Sequence, residues 1–155
     1  MPGTLRIAGL LAVAGVAALL VACGSEAPTQ AVTPKKTSTG SSAKKARPPL
    51  PEKYKGMTNA FAANAAAIEE GKALFNGKGT CMTCHGPNAD GDSPTGKSLV
   101  PPAGNLKDPT LWELGDNYVF YRVTEGSQGT GMTPFEAQLS ADERWKIVSY
   151  LKSLK

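Results

Sequence analysis

The chain has 155 residues, of which 41% are hydrophobic, 6% aromatic and 19% charged. Its N-terminal third does not resemble a packed core, which leaves roughly 95 residues for one small domain. The 17 glycines and 12 prolines indicate long irregular connections and disfavour a β-sandwich. Three cysteines and one histidine exclude a zinc cluster, a disulfide scaffold and any site that needs two histidines.

The formal net charge of +4 is unevenly distributed along the chain. Residues 24–58 carry seven Lys and Arg against two acids, whereas residues 59–155 carry nine against eleven. The basic charge therefore belongs to the segment before the predicted domain, and the domain is mildly acidic. Because no aromatic residues alternate with the lysines, the sequence predicts no nucleic-acid binding.

The N-terminus is typical of an export signal, in which Arg6 precedes an uninterrupted apolar run over residues 7–22. At a rise of about 1.5 Å per residue this run spans roughly 24 Å, short of a hydrocarbon core of about 30 Å. The following Leu20-Val21-Ala22-Cys23 resembles a bacterial lipobox. That resemblance implies a lipoprotein signal peptide over residues 1–22 and lipid on Cys23. We therefore expect an exported protein, anchored to a bacterial membrane with its domain facing the periplasm or another extracytoplasmic side.

The segment after Cys23 is rich in Ser, Thr, Pro and Lys and shows no apolar periodicity. It predicts a flexible tether over residues 23–60, with a root-mean-square reach of roughly 33 Å. The predicted domain then occupies residues 61–155.

A helical pattern begins after Asn64, which is a good cap residue. Ala67, Gly71 and Phe75 share one face, and the helix is expected to end by Gly77. A glycine in the middle of a helix costs about 1 kcal/mol relative to alanine. Gly71 therefore indicates a close approach by another helix.

The helix is followed by Cys81-Met82-Thr83-Cys84-His85, the Cys-x-x-Cys-His pattern that attaches c-type haem. Two thiols at this spacing can each add to one vinyl group of a porphyrin, and His85 is then held beneath the ring as an iron ligand. The alternatives are a redox-active disulfide and a Cys/His metal site. A thioredoxin-like pair needs a buried strand upstream, where this chain has an amphipathic helix, and a zinc site lacks its fourth ligand.

The second axial iron ligand is predicted to be Met132, because His85 is the only histidine. Met57 lies in the predicted tether, and Met82 is confined between the two cysteines. Met132 lies in a loop flanked by Gly131 and Pro134, and a thioether is a soft iron ligand.

Two further helices are predicted before the chain ends. A middle helix runs from about Asp116 to Glu125 and is stopped by Gly126. The terminal helix begins after Ser140, which forms a capping box with Glu143. It carries a broad apolar face formed by Trp145, Ile147, Val148, Tyr150, Leu151 and Leu154.

From Ala65 to the C-terminus these motifs together resemble a class I monohaem cytochrome c domain. The resemblance implies an all-α fold of three to four helices around one covalent haem. It also implies that the first and last helices cross where Gly71 and Phe75 meet Ile147 and Tyr150.

The family also places a proline carbonyl against the haem-ligating histidine, a role that Pro101 or Pro102 matches here, and we assign it to Pro101. Residues 86–109 are expected to wrap one haem edge as an ordered loop. Candidates for bonding the haem propionates are Trp112, Tyr118, Tyr121 and Arg122.

Ligation by both His85 and Met132 leaves iron with no open position for a substrate, so the expected function is one-electron transfer rather than catalysis. The resemblance implies redox protein partners such as a quinol-oxidising complex, a terminal oxidase or a reductase. Two alternatives stay open, namely a fixed haem subunit of a larger complex and a haem sensor or enzyme with a displaceable methionine.

Overall fold

A computed structural model describes residues 47–155, and this part of the chain contains helices but no strand. The predicted all-α class is confirmed, although these residues form six helices rather than three to four. Three of them are single turns of four or five residues. None of the six is long and apolar enough to cross a membrane. In chain order they are α1 (Ala65–Asn76), α2 (Met82–His85), α3 (Pro94–Ser98), α4 (Pro109–Trp112), α5 (Asp116–Glu125) and α6 (Ala141–Ser153).

The core of the fold is the crossing of α1 and α6. Gly71 is buried where the helices meet, and a Cβ atom at this position would overlap the backbone carbonyl of Lys146. Next to it the fully buried Phe75 packs against Tyr150, with ring centroids 5.5 Å apart. The predicted glycine and aromatic contact between the first and last helices is confirmed.

The ends of the long helices follow the local sequence signals. The side chain of Asn64 accepts a hydrogen bond from the backbone N–H of Ala67 at 3.0 Å, and α1 ends before Gly77. Ser140 and Glu143 form the predicted capping box of α6. Gly126 ends α5 with a φ of +68°, a conformation that favours glycine.

The stretch predicted as an irregular loop contains the short helix α3, which holds the end of α2 in place. Ser93 caps α3 by accepting from the backbone N–H of Gly96 at 2.8 Å. The same hydroxyl donates to the carbonyl of Cys84 at 2.7 Å. A Cβ at Gly96 would overlap that carbonyl, so glycine is required for this approach.

The folded domain begins earlier than predicted. Residues 47–60 were assigned to the tether, but Tyr54, in a short 3-10 turn over Glu52–Tyr54, is only 3% exposed and belongs to the core. The boundary at residue 60 is therefore wrong. The lysines and prolines of this segment give it the composition of a linker. Its ordered conformation depends on contacts with α4 and α5. The predicted signal peptide, Cys23 and the remaining tether lie outside the described residues.

Candidate haem site

The Cys-x-x-Cys-His motif forms the single helical turn α2, with the backbone N–H of His85 donating to the carbonyl of Cys81 at 2.9 Å. This turn brings Cys81, Cys84 and His85 to the wall of one large cavity. Met82 does not line the cavity, and its side chain is 39% exposed. Both thiols and the imidazole therefore reach the same space, as the motif predicts.

The imidazole of His85 is oriented by a backbone carbonyl. Its Nδ1 lies 2.9 Å from the carbonyl oxygen of Gly104, so Nδ1–H donates and the lone pair of Nε2 is left for a metal. Burial lowers the pKa of His85, and the hydrogen bond to Gly104 opposes this effect only in part. The ring is therefore neutral at neutral pH, which is the form that ligates iron.

The acceptor of this hydrogen bond differs from the predicted one. Pro101 and Pro102 both lie in the cavity wall, but the carbonyl that contacts Nδ1 is that of Gly104. Backbone hydrogen bonds fix the chain on both sides of Gly104, from Ala103 N–H to Gly96 at 2.9 Å and from Leu106 N–H to Ala89 at 2.8 Å. The predicted bond from His85 to Pro101 is therefore wrong.

The Cys81 thiol is held in a protonated state by its surroundings. Its Sγ donates to the carbonyl of Gly79 at 3.3 Å, and burial raises the pKa of Cys81 to about 11. Such a thiol is a poor thiolate nucleophile at neutral pH, which argues against disulfide exchange as its role.

The loop around Met132 forms another part of the cavity wall. The backbone N–H of Ser127 donates to the carbonyl of Met132 at 2.8 Å, and the N–H of Met132 donates to Thr130 Oγ1 at 3.1 Å. A Cβ at Gly126 would lie 2.5 Å from the same Met132 carbonyl, so α5 and the loop are in close contact. Met132 is half-buried and lines the same cavity as His85.

The cavity has a volume of about 1330 Å³, which exceeds the roughly 300–1,000 Å³ of common ligand pockets. Its apolar lining is drawn from four helices and includes Phe75, Leu111, Val119, Ile147 and Leu151. These side chains offer a porphyrin a large, apolar surface to pack against.

One polar group in the cavity wall lacks a partner. The hydroxyl of Tyr118 is buried and has no hydrogen bond to any described residue. A buried hydroxyl without a partner is costly, and a haem carboxylate would supply the missing acceptor. The residues present therefore fit haem. Of the other three candidates, Tyr121 and Arg122 also line the cavity. Trp112 does not line it, and its indole N–H donates to the carbonyl of Leu106 at 2.8 Å, so the structure does not support Trp112 as a propionate ligand.

The family model for cytochrome c matches residues 68–155, which is more than half of the chain. The chain therefore belongs to the cytochrome c family. Its cofactor is covalent haem c, for which Cys81 and Cys84 have the required spacing. A cytochrome c domain of this kind carries electrons.

The solved structures that are similar to this chain include the following two. One is a chain of the reducing HAO-like protein complex of Kuenenia stuttgartiensis, with 26% identity and a TM-score of 0.53 over 70% of this chain and 51% of that one. The present chain thus spans about half the length of that relative. The other is cytochrome CL from the marine methylotrophic bacterium Methylophaga aminisulfidivorans, with 24% identity and a TM-score of 0.47 over 75% of this chain and 71% of that one. No curated protein matches the sequence with significance.

Two residues of the site could not be identified from the sequence. Gly104 gives no local signal, because any residue has a carbonyl and only the folded loop decides which one meets His85. Arg47 lines the cavity although it precedes the predicted domain. Its charge is visible in the sequence, but the neighbouring Pro48 and Pro49 make the segment resemble a linker.

Proposed function

We propose that this protein is a membrane-tethered electron carrier whose haem is attached through Cys81 and Cys84 and ligated by His85 and Met132. The observation that carries the proposal is that both thiols, the imidazole and this thioether line one cavity. The methionines at 57 and 82 do not line it and are 43% and 39% exposed. Met132 is thus the methionine of the described residues that is available to the iron.

When bound, the haem supplies reversible one-electron chemistry at its iron. The chain's own residues provide the conditions for that chemistry. Gly104 fixes the His85 ring with Nε2 free to ligate, and the pinned loop holds the Met132 side chain at the cavity. Because backbone hydrogen bonds hold the elements that carry these side chains, we expect little rearrangement of the chain on electron transfer.

The ligand assignment is tested on the parent protein by its response to carbon monoxide. We expect the reduced protein to show a six-coordinate, low-spin absorption spectrum that carbon monoxide does not change on mixing, because Met132 occupies the sixth position. The intact mass should include one haem. Rapid binding of carbon monoxide would instead support the alternative of a haem sensor or enzyme.

The membrane part of the proposal rests on the lipobox-like sequence ending at Cys23. Several acyl chains on one cysteine hold a protein at a bilayer, since each buried CH₂ contributes about 0.8 kcal/mol. The described residues begin at 47, so the proposed tether comprises the 24 residues 23–46. That length keeps the domain near membrane-bound donors and acceptors at a raised effective concentration.

The lipid anchor is tested with two Cys→Ser variants, each of which serves as the control for the other. Cys23→Ser should abolish incorporation of labelled fatty acid and leave the covalent haem intact, because the two sites are chemically independent. Cys81→Ser should retain the fatty acid and lose one of the two thioether links to haem. Fatty-acid labelling reads the lipid, intact mass reads whether haem is attached, and the pyridine haemochrome spectrum reads how many vinyl groups have reacted with a thiol. Labelling that persists in Cys23→Ser would contradict the lipid anchor while leaving the haem assignment unaffected.

A second candidate function is that of a fixed subunit in a redox complex, since one similar structure comes from the reducing HAO-like complex. Extraction in mild detergent followed by size-exclusion chromatography separates the two possibilities. A free carrier elutes at the size of one chain in its detergent micelle, whereas a fixed subunit elutes with its partners.

A further inference from the structure

Residues 47–54 form a strap, meaning an ordered segment that crosses from α4 to α5. At its start Arg47 donates from Nη1 to Thr110 Oγ1 at 3.0 Å and from Nη2 to Asp108 Oδ2 at 3.1 Å. At its end the hydroxyl of Tyr54 donates to Glu125 Oε1 at 2.9 Å. The strap is thus fixed at both ends to elements that line the haem cavity.

The first residues of the strap are part of that cavity. Arg47 and Pro48 both line it, and the Arg47 side chain is 29% exposed, as expected for a group at the rim. A guanidinium has five N–H donors in a planar fork. The bonds to Asp108 and Thr110 orient this fork and use only part of its donors.

Two other polar groups accompany Arg47 in the wall. The buried hydroxyl of Tyr118 has no partner among the described residues, and Arg122 lies one helical turn further along α5. Burial raises the pKa of Tyr118, while the charges of Arg122 and Arg47 both oppose that rise. Both guanidinium groups are therefore close enough to the hydroxyl to act on it electrostatically.

Among the residues that line the cavity, positive side chains outnumber negative ones. Its one lining carboxylate is Glu125, which is already engaged by the ammonium of Lys53 at 2.6 Å and by the hydroxyl of Tyr54. Arg47 keeps donors beyond its pair with Asp108, Arg122 forms no ion pair with a described residue, and the Tyr118 hydroxyl has no acceptor among them. A carboxylate carried by the group that fills the cavity satisfies all three requirements.

We propose that Arg47, reaching in from the strap, and Tyr118 together bind one propionate carboxylate of the haem. Arg47 lies outside residues 68–155, to which the cytochrome c family model extends. The segment that joins the domain to the predicted tether thereby becomes part of the cofactor site. This inference rests on the proposed function only in that haem fills this cavity, and it is independent of Met132 ligation and of the lipid.

The test uses the full-length holoprotein and compares Arg47→Ala, Tyr118→Phe and the control Lys55→Ala. Lys55 carries the same charge just beyond the strap, is paired with Glu52 and does not line the cavity. The readouts are the propionate-bending bands in resonance Raman spectra and the midpoint reduction potential. Tyr118→Phe removes one oxygen atom and no hydrogen bond among the described residues, so it reports on the site even if Arg47→Ala loosens the strap.

We expect Arg47→Ala and Tyr118→Phe to shift the same propionate band and to lower the reduction potential. Arg47→Ala removes a positive charge that opposes the ferric state, and Tyr118→Phe removes a hydrogen bond that offsets the negative charge of the propionate. Lys55→Ala should leave both readouts at the values of the parent. Unchanged bands in either Arg47→Ala or Tyr118→Phe, or equal effects of Arg47→Ala and Lys55→Ala, would overturn the proposal. Absence of covalent haem from the parent, seen in the intact mass, would instead contradict the proposed function.

Discussion

Replacing Met132 with alanine is expected to lower the reduction potential and to open the iron to carbon monoxide. A thioether favours ferrous over ferric iron, and axial ligands set haem potentials over a range of about 0.8 V. Without it the ferric state gains relative stability, and the sixth position becomes available to water or carbon monoxide. Redox titration and the spectrum of the reduced protein under carbon monoxide measure the two effects.

The structure indicates that this substitution keeps the loop. The bonds that hold Met132 in place come from its backbone, with its carbonyl accepting from Ser127 and its N–H donating to Thr130 Oγ1. Alanine retains both. Met57→Ala is the matched control, because Met57 is exposed and does not line the cavity. If Met132→Ala retains the parent's potential and closed coordination, our ligand assignment is wrong.

Replacing Gly71 with valine is expected to destabilise the domain by about 3 kcal/mol or more, through forced separation of α1 and α6. A Cβ at this position would overlap the carbonyl of Lys146 and lie 3.0 Å from Cβ of Tyr150. The carbonyl is part of the α6 backbone, so it cannot rotate aside as a flexible side chain would. For a domain of this size the loss corresponds to a fall in melting temperature of roughly 10–20 °C.

The control for Gly71→Val is Ala73→Val, two residues further along the same helix. Ala73 is exposed, so valine there costs only helix propensity, about 0.6 kcal/mol. At Gly71 the propensity change has the opposite sign, since valine is a better helix former than glycine. Melting of the two holoproteins therefore isolates the packing cost. Equal melting temperatures would show that the helices do not need glycine at their crossing.

Local chemistry allowed much of the fold to be predicted. The caps of α1 and α6 depend on side chains three residues from the groups they bond, at Asn64 and Ser140. Gly126 ends α5 because its backbone conformation, with φ at +68° and ψ at −156°, is one that essentially only glycine adopts. The crossing of α1 and α6 brings together residues that are far apart in the sequence. It could still be predicted, because a glycine on the apolar face of a helix indicates close approach by another helix.

The strap could not be predicted, because its order depends on partners far along the chain. Arg47 bonds residues 61 and 63 positions away, and Tyr54 bonds one 71 positions away. Composition near Arg47 favours disorder, and the buried contacts of Tyr54 with Phe120 and Tyr121 override it. The contacts that order the strap are therefore made with residues far outside it, which its own sequence does not show.

Some features of the haem site could likewise be predicted from the sequence, and others could not. The attachment chemistry could be predicted from the sequence, because two thiols and a histidine within five consecutive residues necessarily lie close together. In contrast, the folded domain is needed to know which carbonyl orients His85, which charged group lines the cavity rim and that the segment around Tyr54 belongs to the core. Each of these depends on how loops and helices pack at long range, and a backbone carbonyl such as that of Gly104 is chemically the same at every position until the fold selects one.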